Sequence, residues 1–562
     1  MKSINKPIWI YLAILLYGLL ALLPYIGSVH LFDWDEIIFA ESAREMMVSG
    51  DYLTVSSNFI PFWEKPPLFF WLQALSMKLF GVTEFAARFP NMICGILTLI
   101  TLFRIGRKIS GQGFGVLWVI AFATAVLPFF YFKSGIIDPW LNLFILLGFT
   151  YFIYYLDPEN NIRRYFKLVL SALFFGLAVL TKGPVPVLLL GLSFIIYLVV
   201  KRIKISVSFG HVIVFLLVLI SIGGSWYIYQ ITQGRFDVVM DFIRYQAGLF
   251  TNDYAGHGGF FGFHFVILFF GVFPGSILFL ISFTKKQEST DLQQMFRTWM
   301  YILFFLVLVL FSFVKTKLVH YSSLAYFPIT FLAAWVWEKW ISRKIEIKGW
   351  QLILIAFVAL MYSIAAVLLP ILGANTKFIP QAEFTKFPLF WQEAINANLC
   401  WTGLEFLTGI FLIAGIIFSI WLIRKRDTKG MIIMHVVTLL FVTSMVYIYT
   451  PKIEAITQNA AIEFIEEHND ENAYITTLGF RSFATLFYGK RSPEVIPGID
   501  DAEEVLSLNL NTDVYVIMKQ DDKQKYMERY PRLELLYEKN GFVFTKMQID
   551  SLPDYPINSL VH

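Results

Sequence analysis

Charge is scarce in this chain. Only 15% of its 562 residues are Asp, Glu, Lys or Arg, against about a quarter in soluble domains, which excludes a water-soluble enzyme. Cysteine is scarcer still. Cys94 and Cys400 are the two present, both beside or within apolar stretches and neither with a C-x-x-C neighbour, so there is no disulfide framework and no zinc motif. No P-loop and no dinucleotide fingerprint occurs. The net charge of +4 is carried by short basic clusters between apolar runs. That spacing orients a membrane protein and does not make a nucleic-acid surface.

What the chain has in abundance is apolar sequence: 57% hydrophobic and 18% aromatic residues. A spanning helix needs about 20 mostly apolar residues, and the runs number about thirteen. They lie at 7–26, 89–103, 114–132, 138–156, 168–181, 183–200, 211–231, 263–283, 298–314, 318–338, 350–372, 402–423 and 431–449. The first follows Lys2 and Lys6 and has no A-x-A-like cleavage site after it, so it reads as a retained helix with its N-terminus inside. Basic clusters test the count. They follow the second run (Arg104, Arg107, Lys108), the fourth (Arg163, Arg164, Lys167), the sixth (Lys201, Arg202, Lys204), the eighth (Lys285, Lys286), the tenth (Arg343, Lys344, Lys348) and the twelfth (Arg424, Lys425, Arg426, Lys429). Every even-numbered exit is basic, as the positive-inside rule requires. Residues 27–88, 232–262, 373–401 and 450–562 therefore fall on the outer side.

The fold expected is an all-α polytopic membrane bundle over residues 1–450, with short amphipathic helices at Glu36–Val48 and Leu68–Leu79 in the outer loop 27–88. Trp34, Trp63 and Trp71 of that loop suit the membrane interface. A small α/β domain is expected over 451–562. There Ala460–His468 and Asp521–Tyr530 read as helices and Tyr474–Thr477 and Asp513–Met518 as strands. Glu534–Tyr537 and Phe542–Lys546 flank a hairpin turn at Lys539-Asn540-Gly541.

Polar residues in so apolar a chain need a reason. Asp33, Asp35 and Glu36 lie among Phe32, Trp34, Ile37 and Ile38, where desolvation raises a carboxylate's pKa and improves it as a base. A carboxylate at the bilayer surface can also hold a divalent cation, although the pattern implies no metal and no cofactor. Glu64 and Lys65 precede Pro66-Pro67 and sit on a stiff turn, with Lys65 a point charge for a phosphate. Lys133 and Asp138 share a short apolar connection and should pair, with each other, with a helix end or with something else. Lys315, Lys317, His320 and Tyr321 form an outer turn with several donors for an anion. The stretch Arg235–Gly262 carries Asp241, Arg244, Asn252, Asp253 and His257, with His264 just beyond. It reads as a mobile substrate loop around Gly258-Gly259. A transporter would place charges mid-span; here they lie at span ends, which favours surface chemistry on a lipid-linked anion.

The first outer loop resembles that of a known family. Asp35-Glu36-Ile37-Ile38-Phe39-Ala40, Arg44-Glu45-Met46, Gly50-Asp51-Tyr52-Leu53, Glu64-Lys65-Pro66-Pro67 and Glu84-Phe85-Ala86-Ala87-Arg88 are similar to the protein mannosyltransferase/aminoarabinose transferase family. These are GT-C-fold glycosyltransferases that use polyprenyl-phosphate-linked sugars. The resemblance implies catalytic roles for Asp35, with Glu36 beside it, and for Asp138. It implies phosphate contacts from Lys65 and Tyr321, supported by Lys317, and substrate contacts from Glu64, His257 and His320. The family's arginine in the long loop falls at Leu249, and Arg244 or Lys315 is the alternative source of that charge.

The expected activity is transfer of a sugar from a polyprenyl-phosphate donor to a lipid, glycan or protein acceptor at the outer face of a bacterial inner membrane, with inversion. A lipid-linked sugar flippase, a protein O-glycosyltransferase and a non-catalytic assembly protein are the alternatives.

Overall fold

The structure, a computed structural model, describes residues 7–157, 163–202, 208–251, 258–283, 291–374, 384–395, 397, 399, 401–469, 473–493, 502–508 and 512–547. It is mainly helical, with one small sheet near the C-terminus. Each of the thirteen apolar runs lies on a helix or on consecutive short helices. Among the described residues seven helices are long and apolar enough to cross a membrane, or nine when Phe209–Gly223 with Ser225–Thr232 and Phe263–Gly271 with Gly275–Ile281 each count as one bent span. Those pairs bend by 60° and 106°.

The sequence sets the helix ends near the outer face. Thr83 caps Glu84–Ser110 by accepting the amide N–H of Ala86 at 3.2 Å, which satisfies one orphan donor of the first turn. Asp138–Leu156 starts on an acid followed by Pro139, both suited to a helix N-terminus. Arg164–Lys182 stops at Gly183, whose φ of 95° is open to glycine, and Pro184 then starts Val185–Lys201. This stop leaves Lys182 at a helix end.

The first outer loop forms the helices Asp35–Ser49 and Leu68–Phe80. The first was expected to be amphipathic and to lie on the bilayer. Instead it is buried continuously from Glu36 to Met46. The reason is a second covering layer. Ile37, Phe39, Phe69 and Phe70 share one apolar core with Phe464, Phe487, Tyr515, Ile517 and Phe544 of the C-terminal region, and with Phe390. Each such side chain contributes about 1.5–3 kcal/mol on leaving water. On the covered face Arg44 donates to both oxygens of Glu41 at 2.7 Å and to the Arg491 carbonyl at 2.9 Å.

The C-terminal sheet has the order Tyr474–Leu478, Val514–Lys519, Phe542–Met547, Leu533–Lys539. The first two strands are parallel, with Tyr474 opposite Val514, and the others antiparallel. The hairpin turn sits at Asn540 and Gly541, both with positive φ. The helix of the last span is continuous through the composition change at 450–451 and ends at Thr457.

Candidate active site

A cleft of about 1090 Å³, counting its open mouth, lies where the first outer loop meets the bundle. Asp35, Glu64, Lys65, Asp138, Lys182, Tyr245, Gln246, His320 and Tyr321 supply its polar wall, while Phe39, Leu141, Ile145, Leu189, Leu310, Phe311 and Leu324 supply its apolar wall. Six of the residues singled out from the sequence thus share one cavity, although they span nearly 300 positions of chain.

Asp35 and Asp138 each occupy the first turn of a helix, where the helix dipole favours a negative charge. Asp138 is buried and pairs with Lys182 at 2.7 Å. Asp35 is more open and lies 3.6 Å from His320 Nε2. Burial foremost, with the charges of Lys182 and Lys65, holds His320 below the usual histidine range against the pull of Asp138 and Asp35. At neutral pH it is therefore a neutral ring. Asn142 donates to Ser323 Oγ at 2.8 Å, a short link between the Asp138 helix and the His320 turn.

Lys65 stands 3.4 Å from Glu64 and 5.2 Å from the ring centre of Tyr245. Lys182 is 5.5 Å from the Tyr321 ring centre. Burial, reinforced by Asp138, Asp35 and Glu64, pushes the Tyr321 phenol upward, so it stays an O–H donor. The cleft therefore brings together two ammonium groups, a phenolic donor and an accessible carboxylate. Such a set can grip an oxyanion and present an acceptor oxygen to a base.

Other expected residues lie elsewhere. Glu36 is turned away from the cleft by its neighbouring position on the helix. Arg88 donates to both its oxygens at 3.0 and 2.8 Å, and the amide N–H groups of Phe32, at 2.9 Å, and Gly135 also donate to it. Burial would raise this carboxyl, but Arg88 and these amides hold it below the ordinary range. It does not line the cleft, and its bonds tie the first loop to Arg88 and Gly135. Lys317 points its ammonium at the carbonyls of Phe311, Ser312 and Val314, at 3.0, 2.7 and 2.6 Å, where it caps the end of the helix Asp291–Phe313. Lys315 is exposed and does not line the cleft. Arg244 is an exposed partner of Asp241 at 3.0 Å; it lies on a regular helix, Phe236–Thr251, where a mobile loop was expected. Lys133 donates to the carbonyls of Leu22 and Pro24 at 3.0 and 2.5 Å, so it is not the partner of Asp138. His264 is buried with Nδ1 3.2 Å from Ser322 Oγ. His257, Asn252, Asp253 and Cys400 lie outside the described residues, as does the side chain of Leu249. Among the described residues no group of three or more His, Cys, Asp and Glu is arranged to hold a metal ion.

Lys182 and Tyr245 were not anticipated. The signal for Lys182 was present in Leu180-Thr181-Lys182-Gly183-Pro184. A lysine at an odd-numbered exit serves no topological purpose under the positive-inside rule.

Residues 64–227 match the family described as dolichyl-phosphate-mannose-protein mannosyltransferase. An uncharacterised protein of Aquifex aeolicus is 30% identical over 313 residues, 55% of this chain and 69% of that one. The chain belongs to the protein mannosyltransferase/aminoarabinose transferase family. The undecaprenyl phosphate-alpha-4-amino-4-deoxy-L-arabinose arabinosyl transferase of Pectobacterium atrosepticum is 26% identical over 434 residues, 75% of this chain and 72% of that one. The crystal structure of ArnT from Cupriavidus metallidurans bound to undecaprenyl phosphate superposes with a TM-score of 0.75 at 19% identity, covering 96% of this chain and 98% of that one. That likeness shows the GT-C fold. This member of the family is accordingly a multi-pass membrane glycosyltransferase acting on a lipid-linked sugar.

Proposed function

We propose that the enzyme takes its sugar from a polyprenyl phosphate, undecaprenyl phosphate in particular, and delivers it to lipid A or another glycolipid at the periplasmic face of the inner membrane. The observation that carries this reading is the cleft itself. Lys65, Lys182, Tyr321 and Asp35 line one cavity together with apolar side chains, a composition suited to an anionic head on an isoprenoid chain. The undecaprenyl-phosphate ligand of the Cupriavidus protein and the name of the Pectobacterium relative support the same donor.

In this reading Lys65, Lys182 and Tyr321 hold the donor phosphate. The acceptor oxygen attacks the anomeric carbon as the bond from that carbon to the phosphate oxygen breaks, and the bonding pair leaves with the phosphate. Charge grows on the phosphate in the transition state, so cations fixed beside it lower the barrier. Lys65 reaches the phosphate by leaving Glu64, whose 3.4 Å contact is a loose one. One displacement inverts the anomeric centre. Where the acceptor is a hydroxyl, Asp35 takes its proton; where it is an ionised lipid phosphate, Asp35 orients it. We further propose residues 1–450 as the catalytic membrane domain and 451–562 as a periplasmic domain, with the N-terminus cytoplasmic. The basic even-numbered exits support that orientation.

The test uses membranes supplied with radiolabelled polyprenyl-phosphate sugar. Lys65→Ala and Asp35→Asn should each lower transfer by about 10²-fold or more. Unchanged transfer in both would remove this site. Sugar crossing the bilayer without a new glycosidic bond would instead favour a flippase.

A further inference from the structure

The helices that carry the Asp138–Lys182 pair meet again at the other membrane face. Asp138–Leu156 has 19 residues, about 28 Å at ~1.5 Å per residue, close to the ~30 Å thickness of a hydrocarbon core. Arg164–Lys182 packs beside it and runs back. At the far end these two helices and Glu84–Ser110 enclose a second cavity of about 1340 Å³, counting its open mouth.

This cavity is basic. Arg104, Lys108, Arg163 and Lys167 line it. Lys108 Nζ sits 3.5 Å from the ring centre of Tyr154, and Lys167 is only 9% exposed. Among the described residues the carboxylate acting on Lys108 and Lys167 is that of Asp157. Four cations thus converge on one concave site. The positive-inside rule explains why basic residues occur at this face. It does not require three helices to direct them into one cavity, nor a lysine to be buried there. Between the cations the wall carries Ile105, Leu147, Tyr151 and Tyr154 with Thr101 and Thr150, and Phe166 is largely exposed, as suits a contact with acyl chains.

We infer that this cavity binds the phosphodiester headgroup of an anionic phospholipid in the leaflet opposite the catalytic cleft. Basic pockets between spanning helices suit such headgroups. The lysines and arginines would hold the phosphate oxygens, and Tyr154 and Phe166 the glycerol and first acyl carbons.

Native mass spectrometry of the full-length protein tests this, with phosphatidylglycerol and phosphatidylcholine added separately from detergent. The wild type should retain phosphatidylglycerol at lipid concentrations where phosphatidylcholine is lost. Lys108→Gln with Lys167→Gln should weaken that retention about tenfold or more. Arg104→Gln with Arg163→Gln, which alters only exposed side chains, should act in the same direction and covers the case in which burial of Lys167 is needed for folding. Arg343→Gln, at another basic exit, should change nothing. Equal retention of the two lipids, or undiminished phosphatidylglycerol binding in the double variants, overturns the proposal. Displacement of the lipid by millimolar inorganic phosphate would show a site for free phosphate instead, and overturns it too.

Discussion

Lys182 and Lys317 are both lysines at outer helix ends, yet they face opposite tasks. Lys317 spends its three N–H donors on backbone carbonyls and has none left for a ligand. Lys182 makes one ion pair with Asp138 at the cleft wall and keeps the others. If Lys182 holds the donor phosphate, Lys182→Ala should lower kcat/KM by about 10²-fold, and Lys182→Arg should recover part of it, because the charge returns in a different shape. Steady-state transfer assays with both variants check this; wild-type kinetics in Lys182→Ala would remove it from the site. Lys317→Met should instead cost stability, about 1–3 kcal/mol for the carbonyls left without a donor, read as a lower unfolding temperature. The cleft was partly legible in the sequence. Asp35, Glu64, Lys65, Asp138, His320 and Tyr321 were named because polar residues stand out in an apolar chain. What the sequence does not display is direction. Glu36 adjoins Asp35 but points to Arg88, and Lys317 adjoins the same turn as His320 but caps a helix. Neighbours in sequence diverge in space, and only packing decides which one reaches the cavity.

At the level of elements, the helices were legible because apolar run length reports the physical demand on a spanning segment; among the described residues seven to nine of the thirteen runs meet that demand as helices. The helix Asp35–Ser49 was legible as a helix and misread as an interfacial one, since nothing local reveals the layer that covers its second face. Its burial has a titratable consequence. Glu45 accepts from the Ser56 hydroxyl at 2.5 Å and the Phe59 amide at 2.9 Å, but burial foremost, then the charge of Glu41, pushes its carboxyl up to about 8 from an ordinary 4.5. Between those values the folded protein holds a proton that the unfolded chain has released, so stability falls as pH rises through this window and is greatest below it. Glu45→Gln should flatten that slope. Thermal unfolding of the detergent-solubilised protein and variant between about pH 5 and pH 9 measures it; an unchanged slope would mean that another group dominates.

Over the whole molecule, the C-terminal region and the first outer loop form one apolar core. Removal of residues 455–562 would uncover Phe39, Phe69 and Phe70 and leave Arg44 without the Arg491 carbonyl. The truncated protein should aggregate on extraction, with a membrane bundle that still inserts; size-exclusion chromatography against the full-length chain measures this, and a monodisperse, active truncation would show the region to be dispensable.

The same shared core imposes an order on biogenesis. Residues 27–88 leave the ribosome about 370 residues before the segment that covers them, on the order of 20–70 s at ~5–20 residues per second. For that interval a row of phenylalanines waits without its lid. A slow or stalled ribosome lengthens that exposure, and proteases and holdases can meet the loop before its own C-terminus does.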